Sequence, residues 1–407
     1  MTGKARRLIE YTKEILSREF FKRRHRTSEQ HFTRRSKLNF KTTTVMTLRT
    51  VKKSAKVELM DCFYDLDEEI EIPQRQSFSA AREKINYAAF KELFDKSCEL
   101  AIEGDGARTY KGYRLFAVDG TSFAVGPLDK MKEYFSESTS TPDRAMCRIG
   151  AIVDVLEESI VTACAKPLNV GERAIAIEQI EELGFVANVL YLFDRGYWTP
   201  KLTADIIKNG QKFLMRLASN INNPSVADEN GNEYALRRYS FTLPGGNVET
   251  LLTNIPEEEM SDDELAALYA KRWGIETKYL ELKELLQIDR FSGETANIVL
   301  QDIYSTLYIS NLLAFICLES DETIKVKTAG KDNKYEQKTN RAQCIAVIRK
   351  RFIDIFMIDD PVKRSAALDR LIRDISKCVT RVGKSKPRPR NKHKLKNKRK
   401  SKAKSFL

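Results

Sequence analysis

From Tyr113 onward, short apolar runs alternate with amphipathic stretches, and this order restricts the fold more than any other feature. Five runs rich in Val, Ile, Leu and Phe have the length and composition of buried strands. They are YRLFAVDGT, CRIGAIVDVL, SIVTACAKPL, VLYLFDRGY and KFLMRLA. Residues 173–183 and 200–208 have helical periodicity and separate the last three runs. Three strands followed by helix, strand, helix and strand predict a mixed sheet in an α/β domain.

Turn residues interrupt this rhythm between residues 219 and 257. Asn-Asn-Pro, Asn-Gly and Pro-Gly-Gly alternate there with strand-like segments, which predicts a β-rich insertion. Ser261 and Glu264 then form the S-x-x-E pattern of a capping box, so we predict a long helix that ends near Gln287. A second helix is expected over about 295–318. Its apolar part is too short for a membrane span, which favours a buried core helix.

Positive charge is concentrated at the two ends of the chain. Residues 1–53 hold 16 Lys and Arg against 4 Glu, and residues 384–404 hold 12 Lys and Arg with no acid. Each end therefore carries +12, and the total of +13 leaves −11 for the middle. Basic ends on an acidic body predict nucleic-acid contact at the periphery. The alternative is that the ends are only solvated.

The N-terminal region is predicted to be a helical, basic DNA-binding domain. Within it, SFSAAREKINYAAFKELFDK has a capping residue at Ser77, helix formers, a break near Asn86 and a second helix. The pattern is typical of a helix-turn-helix, and equally of an ordinary helical hairpin. The predicted domains are 1–110 (helical and basic), 111–330 (α/β, with the insertion at 219–257), 331–383 (C-terminal and helical) and 384–407 (a disordered basic tail).

The positions of histidine and cysteine exclude several kinds of active site from the α/β region. His25, His31 and His393 all lie in the basic terminal regions, so a Ser-His-Asp triad, a His-rich zinc site and a Cys-His pair are excluded. No phosphate-binding G-x-x-x-x-G-K-[ST] loop is present. Seven scattered cysteines without a C-x2-C pair favour a reducing compartment, so a cytoplasmic location is expected. The groups available for catalysis in such a region are carboxylates, hydroxyls, Lys and Arg.

Two carboxylates are predicted to end apolar strands of the sheet. Asp119 follows LFAV and precedes Gly120, and Asp194 follows VLYLF and precedes Arg195-Gly196. In the strand order that we infer, the first and fourth strands are neighbours. Both side chains would then meet at the topological switch point, where open α/β sheets bind ligands. The alternative is that each Asp only begins a turn or caps a helix.

A third group of functional candidates lies on the predicted long helix. Spacings of 3, 7 and 14 residues place Tyr269, Arg272, Glu276 and Lys283 within about 60° of arc at about 100° per residue. One face then presents an aromatic ring, two cations and a carboxylate. Charged residues at these spacings also form surface ion pairs, although the apolar neighbours Leu265, Leu268, Ile275 and Leu282 indicate that the helix is packed on one side.

These motifs resemble those of DDE transposases of bacterial insertion sequences. Tyr269, Arg272, Glu276 and Lys283 match in full the Y-x2-R-x3-E-x6-K signature of a large group of them. DGT at Asp119 and DRGY at Asp194 are similar to the first and second acidic motifs of the same group. The sequence RWGIET, residues 272–277, is common around the last acid of these proteins. A β-rich insertion between the second Asp and the Glu is also a feature of the family. The similarity covers about residues 20–330, including the basic N-terminal region.

The resemblance implies a fold, a reaction and partners. It implies a ribonuclease-H-like catalytic domain in which Asp119, Asp194 and Glu276 hold two Mg²⁺ or Mn²⁺ ions. Tyr269, Arg272 and Lys283 would hold the backbone of the transposon-end DNA. The reaction would be cleavage of double-stranded DNA at terminal inverted repeats and transfer of the 3′-hydroxyl end to target DNA. A homodimer on DNA, associated with the nucleoid and not with a membrane, is expected.

Three further expectations concern alternatives. Asp154 on the second strand is interpreted as a structural residue, and as the next acid to test. Trp198 and Trp273 are expected to be buried, with base stacking as the other role. A structure-selective nuclease or resolvase of the same fold, or a domesticated DNA-binding protein that no longer cuts, would share most of these features.

Overall fold

The structure is a computed structural model, and it describes residues 3–49, 55–66, 71–104, 106–131, 133–138, 141–222, 224–242, 246–330 and 335–382. The basic tail predicted over 384–407 lies outside the described residues. The helices are α1 (Lys4–Ser17), α2 (Glu19–His25), α3 (Phe40–Leu48), α4 (Ala55–Leu66), α5 (Arg75–Glu83), α6 (Ala88–Ile102), α7 (Leu128–Met131), α8 (Glu172–Leu183), α9 (Pro200–Lys208), α10 (Asp262–Tyr269), α11 (Trp273–Leu280), α12 (Ala296–Thr328), α13 (Arg341–Met357) and α14 (Pro361–Ile375).

The strands confirm all five of the predicted runs and add others. They are β1 (Arg114–Pro127), β2 (Ser136–Ser138), β3 (Thr141–Asp154), β4 (Ser159–Pro167), β5 (Val189–Phe193), β6 (Lys212–Arg216), β7 (Arg237–Thr242), β8 (Val248–Thr253), β9 (Gln337–Thr339) and β10 (Val379–Arg381). The mixed α/β class predicted from the sequence is confirmed, because the main sheet holds both parallel and antiparallel pairs.

The described residues form two compact units. The first unit is formed by the described residues within 1–100, 123–146 and 282–407, and the second by the described residues within 101–122 and 147–281. The first unit thus joins residues from both ends of the chain. The domain boundaries drawn from the sequence stay predictions.

In the second unit, the strands follow the order β3-β1-β5-β6-β8-β7, and β4 pairs with β3. β1, β5 and β6 are parallel to one another, whereas β3–β4, β6–β8 and β7–β8 are antiparallel pairs. The predicted β-rich segment therefore contributes a hairpin, β7 and β8, that extends this sheet. One face of the sheet is covered by α8 and α9, whose apolar side chains join a core that includes Phe116, Ile152 and Tyr191.

Close packing fixes α8 against β3. A Cβ atom built on Gly150 of β3 would lie only 2.3 Å from Cγ2 of Ile175, so glycine is required where this helix crosses the strand. Gln179, one turn further on, donates a hydrogen bond of 3.0 Å to the Gly150 carbonyl. The position of the helix on the sheet is thus set by contact and by hydrogen bonding.

The predicted capping box is confirmed, but the long helix after it is not regular. Ser261 and Glu264 exchange both bonds of the box at the start of α10. A 3₁₀ turn, Ala270–Arg272, then separates α10 from α11, and a π-turn, Glu281–Leu285, follows α11. Both turns change the angle per residue, so the prediction of one regular helix to about Gln287 is wrong. A Cβ atom on Gly274 would lie 2.9 Å from Cβ of Val155, so α11 approaches the turn after β3 closely.

In the first unit, the helices of the N-terminal region pack with the long helix α12. Arg82 of α5 is buried and pairs with Asp302 of α12 at 3.0 Å. The predicted break near Asn86 is confirmed, since α5 ends at Glu83 and α6 begins at Ala88. The predicted cap at Ser77 is wrong: α5 begins at Arg75, and its cap residue Gln74 makes no side-chain capping bond.

Helix α12 is the buried core helix that the sequence predicts near its apolar run. Thr295 caps it, and its hydroxyl accepts a hydrogen bond from the Ile298 amide. Among the described residues it is the one helix that has the length and composition for crossing a membrane, and 89% of its most apolar window is buried within the protein. A core helix of a globular unit is buried to this extent, so the length and composition of α12 are weak evidence for a membrane span.

Candidate active site

Parallel pairing of β1 with β5 brings the first two candidate acids side by side. The register aligns Val118 with Phe193, so Asp119 and Asp194 each come directly after a paired residue. The predicted neighbourhood of the two strands is therefore confirmed. The prediction that β1 ends at Asp119 is wrong, because the strand continues to Pro127 and its residues are buried again from Phe123. The parallel pairing with β5 ends at Val118, one residue before Asp119.

Each Asp carboxylate accepts a hydrogen bond from the amide that follows it. The Gly120 amide donates to Asp119 at 2.8 Å, and the Arg195 amide donates to Asp194 at 2.7 Å. These are the local bonds of residues that begin a turn. They occupy one oxygen of each carboxylate and leave the other available for a further partner.

Arg272 approaches two of the three candidate acids. Its Nη2 atom lies 2.9 Å from Oε1 of Glu276, and its Nη1 atom lies 3.9 Å from Oδ2 of Asp119. The Arg272 side chain is 4% exposed. Within the described part of the chain, Nε and Nη1 have no hydrogen-bond partner. A buried guanidinium whose N–H groups lack partners can bind a further anionic or polar group.

Two tyrosine hydroxyls connect the helical segment with β1 and with the end of β5. Tyr269 donates to the Phe193 carbonyl at 3.2 Å, next to Asp194, and Tyr279 donates to the Asp119 carbonyl at 2.7 Å. Burial raises the pKa of both hydroxyls, so both stay protonated and able to donate. Tyr279 was not among the residues predicted for the site. Its position three residues after Glu276, one helical turn on, is the only signal for it.

Arg216 is a second functional candidate that sequence reasoning missed. It ends β6, the strand beside β5, and its Nη2 atom lies 2.7 Å from Oδ1 of Asp194. Its Nη1 atom lies 2.5 Å from Oε1 of Glu249 on β8. The sequence shows only an Arg after an apolar run, as at many strand ends, so its partner depends on the strand order.

Burial is the main influence on the ionisation of Asp119. It raises the pKa of this carboxyl to about 6, and the negative charges of Glu172 and Asp194 act in the same direction. The Gly120 amide and Arg272 oppose the rise. A carboxylate in this position is a destabilised anion, and a bound cation would relieve it.

The donor chemistry of the three acids fits a hard divalent ion, because Mg²⁺ and Mn²⁺ prefer oxygen ligands. In the described residues no three acids, His or Cys converge closely enough to hold a metal ion. Glu276 pairs with Arg272, and Asp194 pairs with Arg216. The ion site at Asp119, Asp194 and Glu276 therefore stays a proposal.

The remaining predicted residues lie in different surroundings. Asp154 is fully buried, pairs with Arg114 at 2.8 Å and accepts bonds from the amides of Leu156 and Glu157, which fits the structural role expected for it. Lys283 lies in the π-helical turn Glu281–Leu285 and belongs to the first unit. Trp198 packs partly buried against the core of the second unit. Trp273 is 52% exposed, contrary to expectation, and its ring lies 5.6 Å from the Arg272 guanidinium.

Comparisons with known proteins agree with these motifs. Residues 110–312 match the family described as "Transposase DDE domain", a segment that includes all three candidate acids. The transposase InsG of insertion sequence element IS4 from Escherichia coli K12 is 21% identical over 273 residues, which cover 60% of this chain and 61% of that protein. A protein described as a transposase for insertion sequence element IS4SA, from Synechocystis sp., is 26% identical over 156 residues, covering 35% and 45%.

This chain belongs to the DDE transposases of insertion sequences. The matches span about 61% and 45% of the length of these two relatives. A cryo-EM structure of the piggyBac transposase synaptic complex with hairpin DNA overlaps with a TM-score of 0.49 and 9% identity, covering 91% of this chain and 84% of that one.

Proposed function

We propose that this protein is a DNA transposase that binds terminal inverted repeats, cleaves DNA and transfers the 3′-hydroxyl end to target DNA. The observation that carries this proposal is the parallel register of β1 and β5, which sets Asp119 beside Asp194. Arg272 then connects Asp119 with Glu276 from α11. Three acids from three elements, in the order of the family motifs, support phosphoryl transfer better than a structural role for each.

Asp119, Asp194 and Glu276 would hold two Mg²⁺ or Mn²⁺ ions. Bound ions of this kind activate a water or hydroxyl nucleophile and neutralise charge on the leaving oxygen. The tyrosines would fix the geometry: Tyr269 and Tyr279 hold the backbone at Phe193 and Asp119, so both carboxylates start from fixed positions. Preorganisation of this kind lowers the cost of reaching the reactive arrangement.

DNA contact by Tyr269, Arg272 and Lys283 is part of the same proposal. The unused donors Nε and Nη1 of Arg272 support it, because a phosphate oxygen is a strong acceptor for a guanidinium. Tyr269 is buried and bonded to the Phe193 carbonyl, so a phosphate would reach its hydroxyl only if that bond opened. The exposed ring of Trp273 beside Arg272 offers a surface on which a base could stack.

We also propose that the basic N-terminal region recognises the terminal repeat. A groove of about 850 Å³ lies in the first unit between residues 29–38 and α5. Arg34 and Lys84 line it and are both exposed, whereas Ser77 and Ala80 leave room on the helix for close approach. Replacing Arg34 and Lys84 by Ala in the full chain should weaken binding to end duplexes, and Lys56→Ala, which removes an exposed cation elsewhere, serves as the control.

The central experiment uses the purified full-length protein with a duplex that carries one terminal repeat. Asp119→Ala, Asp194→Ala and Glu276→Ala should each slow Mg²⁺- or Mn²⁺-dependent cleavage by about 100-fold or more without loss of DNA binding. Glu233→Ala removes an exposed carboxylate from the β-rich segment and is the matched control.

The products separate the competing functions. Joining of the 3′ end to a second duplex supports a transposase, and nicking alone supports a nuclease or resolvase. Binding without cleavage by the wild-type protein in either ion would support a domesticated DNA-binding protein. The mass of the complex on paired ends tests the expected homodimer, and near-normal cleavage by any one Ala variant would remove that residue from the site.

A further inference from the structure

The first turn of α8 contacts the residues that follow both strand-borne acids. The Nε atom of Arg173 donates a hydrogen bond to the carbonyl of Gly196, two residues after Asp194. Glu172 lies against Gly120, the residue after Asp119: a Cβ atom built there would lie 3.0 Å from Cγ and 3.2 Å from Cδ of Glu172. One helical turn therefore touches both acidic motifs.

This turn has a fixed place on the sheet. The close contact between Gly150 and Ile175 and the bond from Gln179 to the Gly150 carbonyl hold α8 against β3. Arg148 of β3 supports the segment that leads into the helix, since its Nη1 atom donates to the carbonyls of Leu168, at 3.0 Å, and Val170. Its Nε atom lies 3.5 Å from the Glu172 carboxylate. Contacts made by this turn are therefore made from a rigid support.

The ordinary role of charged residues at a helix start explains only one of the two side chains. An acid in the first turn interacts favourably with the positive end of the helix dipole, so Glu172 has a simple stabilising role. A cation in the first turn interacts unfavourably with the same dipole. Arg173 is such a cation, and its described hydrogen bond goes to the loop that carries Asp194. A role outside the helix accounts for its position.

We propose that the first turn of α8 is a positioning element of the candidate active site. Arg173 holds the loop between Asp194 and Tyr197 in place, and Glu172 adds a negative charge beside Asp119. The proposal rests on the proposed function. Neither residue is a catalytic residue in this account, because each acts through a neighbouring acid. Displacing a reacting group by about 1 Å costs on the order of 100-fold in rate, so a smaller shift in the loop has a measurable effect.

The geometry of the Asp194 loop provides a readout that is independent of activity. The Tyr197 amide donates to the Asp194 carbonyl at 3.1 Å, so its hydrogen exchange reports whether this loop is held. In Arg173→Ala, amides of residues 195–197 should exchange about threefold faster or more, while amides of α9 should be unchanged. Arg173→Lys keeps a donor at this position and should restore most of the protection. Lys201→Ala is the matched control, because it also removes an exposed cation, here from the first turn of α9.

The activity readouts separate the two side chains. Arg173→Ala should reduce the cleavage rate by about tenfold at saturating DNA and Mn²⁺, with unchanged end binding, and Arg173→Lys should recover most of it. Glu172→Gln keeps shape and removes charge, so it should raise the Mn²⁺ concentration for half-maximal cleavage by about threefold and leave the maximal rate unchanged.

Some results would overturn the proposal. Unchanged exchange of the loop amides in Arg173→Ala, or equal changes in Lys201→Ala, would show that Arg173 does not hold the loop. A Glu172→Gln protein with the wild-type Mn²⁺ dependence would remove Glu172 from the element. Failure of the wild-type protein to cleave would count against the proposed function alone, because the exchange experiment requires no cleavage.

Discussion

Arg216 and Asp194 form an ion pair of 2.7 Å, and the same guanidinium binds Glu249 at 2.5 Å. The two partners lie on either side of β6, since Asp194 follows β5 and Glu249 belongs to β8. One side chain thus connects a candidate catalytic acid with the hairpin of the β-rich segment. The Arg216 side chain is 24% exposed and that of Glu249 is 18% exposed, so solvent screens this network only in part.

A double-mutant cycle on Arg216 and Glu249 tests whether the hairpin is energetically coupled to the arginine that pairs with Asp194. Arg216→Ala and Glu249→Ala should each lower the free energy of unfolding, and the pair should show a coupling of about 1 kcal/mol or more. The reason is that either substitution alone already removes the partly buried, charge-assisted bond, so the second has no such bond left to remove. Urea unfolding of the four full-length proteins gives the coupling, and strictly additive losses would contradict it.

The buried pair of Asp154 and Arg114 predicts a large loss of stability. Asp154 has no exposed surface, and Arg114 also donates to the carbonyls of Ala101 and Ile102, so removing the acid leaves a buried cation without its counter-ion. Asp154→Ala should therefore cost roughly 3–5 kcal/mol. The more exposed pair of Lys166 and Glu178, with side chains 31% and 43% exposed, is the control, and Glu178→Ala should cost less than about 1 kcal/mol. Similar losses in urea unfolding would show that the Asp154 pair is not as buried as described.

Residues of the sheet were predictable because their neighbours in the sequence determine them. A run such as VLYLF is apolar at every position and ends in Asp-Arg-Gly, and parallel strands joined by crossover helices lie next to each other. Arg216, Glu172 and Tyr279 were not predictable in this way. Each acts through a contact with a residue distant in the sequence, and their surroundings in the sequence are those of ordinary surface or helical positions.

Breaks in regular structure were the other features that sequence patterns missed. A uniform period of 3.6 residues describes α10 and α11 separately but not the 3₁₀ turn between them. Continuation of β1 beyond Asp119 was missed because an Asp-Gly pair is a common turn signal, whereas Phe123 and its neighbours bury the strand again. The first compact unit combines residues from both ends of the chain, and charge and composition do not predict which distant segments pack together.

The close contact between Gly150 and Ile175 predicts that a side chain at position 150 is not tolerated under α8. Gly150→Ala would place a Cβ atom 2.3 Å from Cγ2 of Ile175, so the helix must move or the side chain must turn. We expect a loss of about 1–3 kcal/mol in the free energy of unfolding, which Ile175→Ala in the same protein should partly relieve. Gly104→Ala is the control, because the nearest atom to its added Cβ is a carbonyl oxygen at 3.8 Å. Thermal and urea unfolding measure both variants, and equal stability of the two would contradict the close contact.

Deletion of residues 384–407 should weaken binding to all duplexes alike. The segment carries 12 Lys and Arg with no acid, and contacts between cations and phosphates do not depend on sequence. For each phosphate that the tail no longer neutralises, the slope of log affinity against log salt should become shallower by about 0.9. Binding of an end duplex and a scrambled duplex at several salt concentrations measures both effects. Weaker binding of the end duplex alone would mean that the tail recognises sequence.

Burial of Asp119 predicts how stability depends on pH. The pKa of this carboxyl is 3.8 in the ordinary case and about 6 in the folded protein. Below pH 3.8 the group is protonated in both states and contributes nothing to the difference between them. As the pH rises towards 6, the unfolded chain releases a proton that the folded protein keeps, and stability falls. Above the folded pKa the full penalty of a buried charge is present.

Asp119→Asn removes that charge, so it should be more stable than the wild type at about pH 7.5 and equal to it at about pH 4. The rise of the pKa from 3.8 to about 6 corresponds to roughly 3 kcal/mol, and the partial exposure of the side chain reduces the expected gain to about 1–2 kcal/mol. Urea unfolding at both pH values measures the gain, with Glu233→Gln as an exposed control. Adding Mn²⁺ at neutral pH should stabilise the wild type and not Asp119→Asn, since only the wild type has a carboxylate at position 119 that can bind the ion. A gain of equal size at both pH values would show that burial of charge at Asp119 is not its cause.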